Sequence, residues 1–294
     1  MERITFIVNP ISGGKDKNNV LAAIGRHLDL SRFSWEVLQT TRAGEGTEIA
    51  RESRSGIVVA VGGDGTVSEV AKGLIGTEKA LGIIPCGSGD GLALHLGISR
   101  NPVRAVQAIN TGIKTTVDAG MMDGRPFFCT AGLGLDAAVS LDFTRSGKRG
   151  LSTYISTAWA DWKHRRPEQY TIETETETWS GQALFVTAGN ANQWGNEAKI
   201  APRASLCDGL LDIIVVRPFD TLEIPDLAAR LMTGKVDTSK HVLSFKTPRA
   251  HIHREFPGPA HFDGDPFEAG TDVDMAIVPG ALRVVVPPSR VPKL

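Results

Sequence analysis

Residues 61–67 read Val-Gly-Gly-Asp-Gly-Thr-Val, directly after the apolar run Gly56-Ile57-Val58-Val59-Ala60 and directly before a helical pattern that begins near Ser68. Three glycines around one carboxylate, at the end of a buried strand, let the backbone turn tightly and approach a ligand closely. The following helix N-terminus presents free amides and a positive dipole end, which suit a phosphate. Asp64 is the odd member. A carboxylate beside a phosphate is repelled unless it holds a metal ion or takes a proton from an attacking hydroxyl. The loop therefore points to phosphoryl transfer, against the plainer reading of a structural strand-to-helix turn.

The elements around this loop alternate. Strand patterns at Ile4 to Val8, Ser34 to Gln39, Ile57 to Val61 and Leu81 to Ile84 are separated by helical patterns at Lys17 to His27, Thr47 to Arg54 and Ser68 to Ile75. Further helical patterns follow at Gly91 to Leu96 and Pro102 to Asn110. Such alternation predicts βαβ units and a parallel sheet, whose ligand site lies outside the carboxyl ends of its strands. Those ends carry Asn9-Pro10-Ile11-Ser12-Gly13-Gly14, Thr40-Thr41, Gly62 to Thr66, and Pro85-Cys86-Gly87-Ser88-Gly89-Asp90. Every one is a loop of the phosphate-binding kind.

After Thr116 the chain turns strand-rich, with runs at Arg125 to Thr130, Tyr170 to Thr176, Gly181 to Ala188, Leu210 to Val216, Val242 to Lys246, Ala250 to His253 and Ala281 to Val286. β-branched residues and short turns predict an antiparallel sandwich or open barrel, interrupted by a helix at about Leu151 to His164. The expected division is an α/β domain over 1–117 and a β-sandwich over 118–286, with 287–294 returning to the first domain. Two domains suit a chain of 294 residues.

Composition narrows the class further. A net charge of −1 exerts no global pull on nucleic acid or anionic lipid, so a charged partner must be met by a local patch. No apolar run approaches a bilayer span and the start lacks a signal-peptide core, so a cytoplasmic location is expected. Three widely spaced cysteines, Cys86, Cys129 and Cys207, form no CxxC pair and indicate neither a zinc site nor a disulfide framework.

Taken in order, Asn9-Pro10-Ile11-Ser12-Gly13-Gly14, Gly62-Gly63-Asp64-Gly65-Thr66 with Glu69, Gly82 to Gly89, Gly132 to Ala137, Lys148-Arg149-Gly150, Asn190, Ile200-Ala201-Pro202, Asp208 to Asp212 and Asp263-Gly264-Asp265 carry a resemblance over nearly the whole chain. The chain resembles the diacylglycerol kinase catalytic-domain family, which includes bacterial soluble lipid kinases and the sphingosine and ceramide kinases. The resemblance implies an N-terminal Rossmann-like parallel-sheet domain of the NAD kinase and diacylglycerol kinase type, followed by a β-sandwich, with the active site in the cleft between them. It implies ATP-dependent transfer of the γ-phosphoryl group to a lipid hydroxyl, with ATP and Mg²⁺ as cofactors.

It also implies roles. Asn9, Ser12, Thr41, Gly63, Gly65 and Thr66 would line the nucleotide, and Ser88 and Gly89 would close it; Asn9 and Ser12 are equally ordinary turn formers. Lys148 and Arg149 would reach phosphate oxygens. Asp263 is the first choice for general base and Asp64 the rival. Asp265 stands where the family carries Glu, which leaves its contact with nucleotide or metal open. Asp208, with the carbonyls of Ser205 and Leu210, matches a structural Mg²⁺ site, against the plain reading of Asp208-Gly209 as a hairpin turn.

Departures bear on the substrate. Many bacterial members read Gly-Thr-x-Asn-Asp where this chain has Gly87-Ser88-Gly89-Asp90-Gly91, which looks more like the sphingosine and ceramide kinase loop. Asp90 and Asp136 are placed toward the acceptor, Asp136 at the position that meets the amine in sphingosine kinases. Trp159, Trp162 and the basic run Lys163 to Arg166 suit a transient membrane contact or an ordinary packing helix. The partners implied are a lipid and a membrane surface, with the enzyme peripheral there; no nucleic acid is implied, and a homodimer is allowed. NAD kinases share the Gly-Gly-Asp-Gly-Thr loop, so phosphorylation of a dinucleotide is the alternative, and a non-enzymatic nucleotide-binding module is a third reading.

Overall fold

The computed structural model describes residues 1–12, 17–145, 162 and 166–290, and they divide into two compact units, 1–118 with 279–294 and 119–278. Arg149, Lys148 and the helix expected over 151–164 lie outside the described residues, Trp162 excepted.

The first unit is a parallel sheet of β1 (Glu2–Val8), β2 (Phe33–Gln39), β3 (Ile57–Gly62) and β4 (Ala80–Pro85) in the order β2-β1-β3-β4. Helices α1 (Lys17–His27), α2 (Glu45–Glu52), α3 (Asp64–Leu74), α4 (Gly91–His95) and α5 (Pro102–Thr111) connect or follow them. Strands β3 and β4 are buried at every residue, which is why they read as unbroken apolar runs. The strand order reverses at the β1/β3 boundary, so the crevice outside these carboxyl ends opens between the Asn9 and Gly62 loops.

The second unit is an antiparallel sandwich. One sheet runs β12-β11-β10-β7-β14-β15, built from β7 (Thr130–Gly134), β10 (Phe185–Gly189), β11 (Leu211–Val216), β12 (Val242–Thr247), β14 (Gly258–Phe262) and β15 (Asp265–Ala269). Opposite it lie β8 (Glu168–Thr174), β9 (Thr178–Ala183), β13 (Arg249–Arg254) and the start of β16 (Asp272–Val286). Leu133, Val186, Ile213 and Ala260 of the first sheet share one core with Tyr170, Ile172, Ile252, Val273 and Met275 of the second. The six-stranded sheet's other face is covered through Leu227 and Leu231 of α7 (Ile224–Thr233), a helix that the sequence reading left unassigned. Helix α6 (Leu135–Arg145) follows β7 directly, and the short β6 (Arg125–Phe127) pairs with β5 (Ile113–Met122).

Four expectations shift. The return to the first unit begins at Pro279 and not at Pro287, because Asp272–Val286 is one long strand whose first part pairs β13 and whose later part pairs β4 at Arg283 and Val284. The strand expected from Ala281 begins instead at Asp272 and runs through Pro279-Gly280, where the Gly280 N–H donates to the Asp118 carboxylate at 2.8 Å. The strand expected over Gly181 to Ala188 is two strands in different sheets, divided at Leu184. Arg125 to Thr130 likewise breaks at Phe128-Cys129, whose amides are directed to a side chain and not to a neighbouring strand.

Candidate active site

In the first unit, the sequence-predicted residues gather at the carboxyl edge of the sheet. Asn9 directly follows β1; its Oδ1 accepts the Ile11 N–H at 3.1 Å and its carbonyl accepts the Ser12 hydroxyl at 3.2 Å. Thr41 donates through both its N–H and its hydroxyl to Glu45 at the start of α2. Glu69 of α3 accepts the Gly44 and Gly46 amides at 2.9 and 3.2 Å, which fixes that helix N-terminus from outside.

Gly63 caps α3 without any side-chain cap, and the Thr66 hydroxyl, buried one turn in, has no hydrogen-bond partner among the described residues. An uncapped N-terminus beside a partnerless buried hydroxyl offers donors of the kind an anion accepts. Gly65 is exposed at the same end. The glycines serve one another as much as a ligand. A Cβ on Gly87 would meet the Gly63 Cα at 2.8 Å, and one on Gly89 would meet Asp64 Oδ2 at 2.7 Å. Backbone therefore packs on backbone where the β3 and β4 loops meet.

Asp64 ties the two loops together. Its Oδ2 accepts the Asp90 N–H at 2.8 Å and its Oδ1 the Gly91 N–H at 2.7 Å, so it caps α4 from another loop. Desolvation raises its pKa, against the lowering effect of those amides. Asp90 is buried, in a left-handed conformation at φ 49°; its Oδ1 accepts the Gly87 N–H at 2.8 Å and its Oδ2 the Arg100 Nε at 3.0 Å. Burial and then the charge of Asp64 raise its pKa. Arg100 also donates to the Ser88 and Gly89 carbonyls at 2.9 and 2.7 Å. It is the counter-charge of the loop, and sequence reasoning missed it; a lone basic residue just before the α5 cap at Asn101 was the available signal. Asp90, expected at the acceptor, is thus committed to its own loop.

The second unit holds Asp263. Asp263 and Gly264 form the two-residue turn between β14 and β15, at φ 50° and 85°, which is the geometry Asp-Gly favours in tight hairpins. The Asp263 carboxylate accepts the N–H groups of Phe128 at 2.9 Å and of Cys129 at 2.7 Å, with Thr130 at 3.3 Å. Asn190 braces that segment by donating Nδ2–H to the Phe128 carbonyl at 2.9 Å. Asp265 opens β15, exposed.

Below the turn, the Gly264 N–H donates to His261 Nδ1 at 3.4 Å, so Nε2 carries the proton and donates to Asp136 Oδ2 at 3.2 Å. Thr187 donates its hydroxyl to the same oxygen, and Asp136 Oδ1 accepts the Ala137 N–H at 2.7 Å. Both oxygens of Asp136 are spent on internal donors and its side chain is 3% exposed, which corrects the expectation of an acceptor contact. His261 was not foreseen; its place two residues before Asp263, on the buried face of a strand, was the cue.

Asp208 does not fit a divalent ion. Its Oδ1 accepts the Leu210 N–H at 3.1 Å and its Oδ2 lies 2.8 Å from Lys246 Nζ, which also bonds Asp212 Oδ2 at 2.8 Å and the Arg203 carbonyl at 3.0 Å. Burial opposes the charge of Lys246, but the hydrogen bonds it donates to Asp208 and Asp212, with their negative charges, outweigh it and its pKa stands above the ordinary value. The Lys246 ammonium takes Asp208 Oδ2, the one side-chain ligand of the Mg²⁺ site expected with the Ser205 and Leu210 carbonyls, and among the described residues no group of three or more His, Cys, Asp or Glu side chains could hold a metal.

Comparison with known proteins agrees with both halves. Residues 3–122 match the diacylglycerol kinase catalytic domain and 129–286 the YegS C-terminal NAD kinase β-sandwich-like domain. A protein of Bacillus subtilis strain 168 named Diacylglycerol kinase is 26% identical over 273 residues, covering 90% of each chain. One of Chromohalobacter salexigens named Probable lipid kinase YegS-like is 29% identical over 272 residues, covering 90% of this chain and 85% of that one. Among solved structures, a diacylglycerol kinase from Bacillus anthracis strain Sterne superposes with a TM-score of 0.78 at 21% identity, covering 98% of each chain. An NAD kinase from Archaeoglobus fulgidus, in complex with ATP, superposes at 0.55 with 12% identity, covering 99% of this chain and 96% of that one; both are likenesses of fold.

Proposed function

Because the chain belongs to the diacylglycerol kinase catalytic-domain family of lipid kinases, we propose that it transfers the γ-phosphoryl group of MgATP to the hydroxyl of a neutral glycerolipid such as diacylglycerol. The observation that carries this reading is the uncapped start of α3 with the partnerless Thr66 hydroxyl, at the carboxyl edge where the Gly63 and Gly87 loops touch. Backbone amides aimed at one place without side-chain bulk are what a phosphate chain requires, since phosphoryl transfer rests on positioning and charge stabilisation. Asp64 holds that floor, with one backbone amide on each oxygen. Asp263 is the base, pre-oriented on a rigid turn by the Phe128, Cys129 and Thr130 amides. The internal bonds of Asp136 favour an uncharged acceptor over a sphingoid amine. Arg149 stands as a candidate phosphate contact, and Asp265 as a candidate contact to the nucleotide or its metal ion.

The site works at a membrane surface, where its substrate resides, from the cytoplasmic side. No helix among the described residues is long and apolar enough to cross a bilayer. The deciding experiment offers radiolabelled ATP with diacylglycerol, dihydrosphingosine and NAD in parallel. Label in diacylglycerol supports the reading; label in the sphingoid base or in NAD, with none in diacylglycerol, overturns it.

A further inference from the structure

The turn before β11 carries Asp208 and the start of β11 carries Asp212; the Asp212 side chain is 2% exposed and that of Asp208 30%. A buried carboxylate needs a partner, and here the partner stands directly opposite in the β-ladder: Asp212 pairs in register with Lys246 of β12. An ammonium has three N–H donors and no acceptor. The Lys246 ammonium meets Asp208 Oδ2 and Asp212 Oδ2 at 2.8 Å each and the Arg203 carbonyl at 3.0 Å, so its donors and these oxygens match in number. The remaining Asp208 oxygen accepts the Leu210 N–H across the Gly209 turn.

A divalent ion would have to bind Asp208 at about 2.0–2.6 Å and gather about six oxygens. At Oδ2 it would stand against a positive ammonium, and at Oδ1 it would displace the Leu210 amide. Moving Lys246 aside to admit it would leave Asp212 buried without its counter-charge.

We propose that Lys246 is the resident cation of this turn, so that its ammonium, and no divalent metal, bridges Asp208 and Asp212 and ties the segment from Arg203 to Asp212 onto β12. Strand β11 pairs β10, which pairs β7 and through it β14 of the same sheet, so the device fixes the sheet that bears the Asp263 hairpin without a dissociable ion. The inference is independent of the nucleotide and of the acceptor lipid.

Thermal unfolding of the nucleotide-free protein, with and without EDTA and with millimolar magnesium or calcium, tests it alongside elemental analysis of the purified chain. Wild type is expected to melt at one temperature in all three conditions and to carry no stoichiometric divalent metal. Lys246→Met is expected to melt several degrees lower in EDTA. A wild-type midpoint that falls on chelation and returns with magnesium, that response being lost in Asp208→Asn, overturns the proposal, as does a Lys246→Met midpoint equal to that of wild type. Should Lys246→Met fail to fold, the wild-type arms decide. None of these readouts uses kinase activity, so failure of the assigned reaction leaves the inference standing.

Discussion

Asp64 Oδ1 accepts the backbone N–H of Gly91 at 2.7 Å, across the gap between two strand-end loops. With Oδ2 on the Asp90 amide, one carboxylate fixes the entry of α4 and the height of the loop that precedes it. This relationship gives Asp64 partners at the start of α4, whereas Asp263 is held by the Phe128 and Cys129 amides.

Asp64→Asn keeps one acceptor and turns an NH₂ toward an amide, so it costs about 1–3 kcal/mol of stability and weakens ATP binding. Asp263→Asn keeps its size and most of its contacts, and lowers kcat by about 10²- to 10⁴-fold with little change in ATP affinity. Steady-state kinetics with ATP and lipid varied separately checks the pair. A reversed pattern, with Asp64→Asn lowering kcat alone, would return the base to Asp64.

Gly87→Ala places a methyl group 2.8 Å from the Gly63 Cα, where only backbone can yield. The two loops must part, at a cost of about 1–3 kcal/mol and with weaker nucleotide binding. Gly65→Ala, whose added Cβ meets nothing within 4 Å, is the matched control and should leave stability nearly unchanged. Denaturant melts and nucleotide titration of the two variants provide the comparison.

The raised pKa values of Asp64 and Asp90 set a pH dependence. A carboxyl whose folded pKa lies above its unfolded value binds more protons when folded, so it lowers stability as pH rises from the ordinary 3.8 through the raised value, and the cost is complete above it. Asp90→Asn removes one such group and also the ion pair with Arg100. Wild type should therefore lose stability relative to Asp90→Asn as pH rises from the ordinary carboxyl value of 3.8. Parallel curves from chemical denaturation would refute the shift.

His261→Gln can keep a donor toward Asp136 but no longer holds the Gly264 amide in the same geometry. The turn bearing Asp263 loosens, so kcat should fall about tenfold while the KM for ATP holds. His261→Ala should lose stability as well, by about 1–3 kcal/mol, because it removes one of the donors to buried Asp136. Equal losses of stability and kcat in both variants would reduce His261 to packing alone.

Much was legible in the chain. The runs from Ile57 and Leu81, apolar at nearly every position, read as fully buried strands, and the glycine-rich ends between strand and helix read as tight turns. The hairpin turn at Asp263-Gly264 was not read from the sequence, although few residue pairs tolerate two positive φ angles in succession and Asp-Gly is one of them.

What each carboxylate does was decided by tertiary structure alone. Asp64, Asp90, Asp136 and Asp208 look equally able to meet a metal, a substrate or a proton in the sequence, since the residue type fixes only charge and reach. Their donors come from far along the chain: Gly91 for Asp64, Arg100 for Asp90, His261 and Thr187 for Asp136, Lys246 for Asp208. Local pattern determines where a strand ends and a loop begins, because backbone sterics and hydrophobic period act over a few residues. Which oxygen is satisfied by which hydrogen depends on chain pairing and sheet register, and these emerge only when the strands have been brought together.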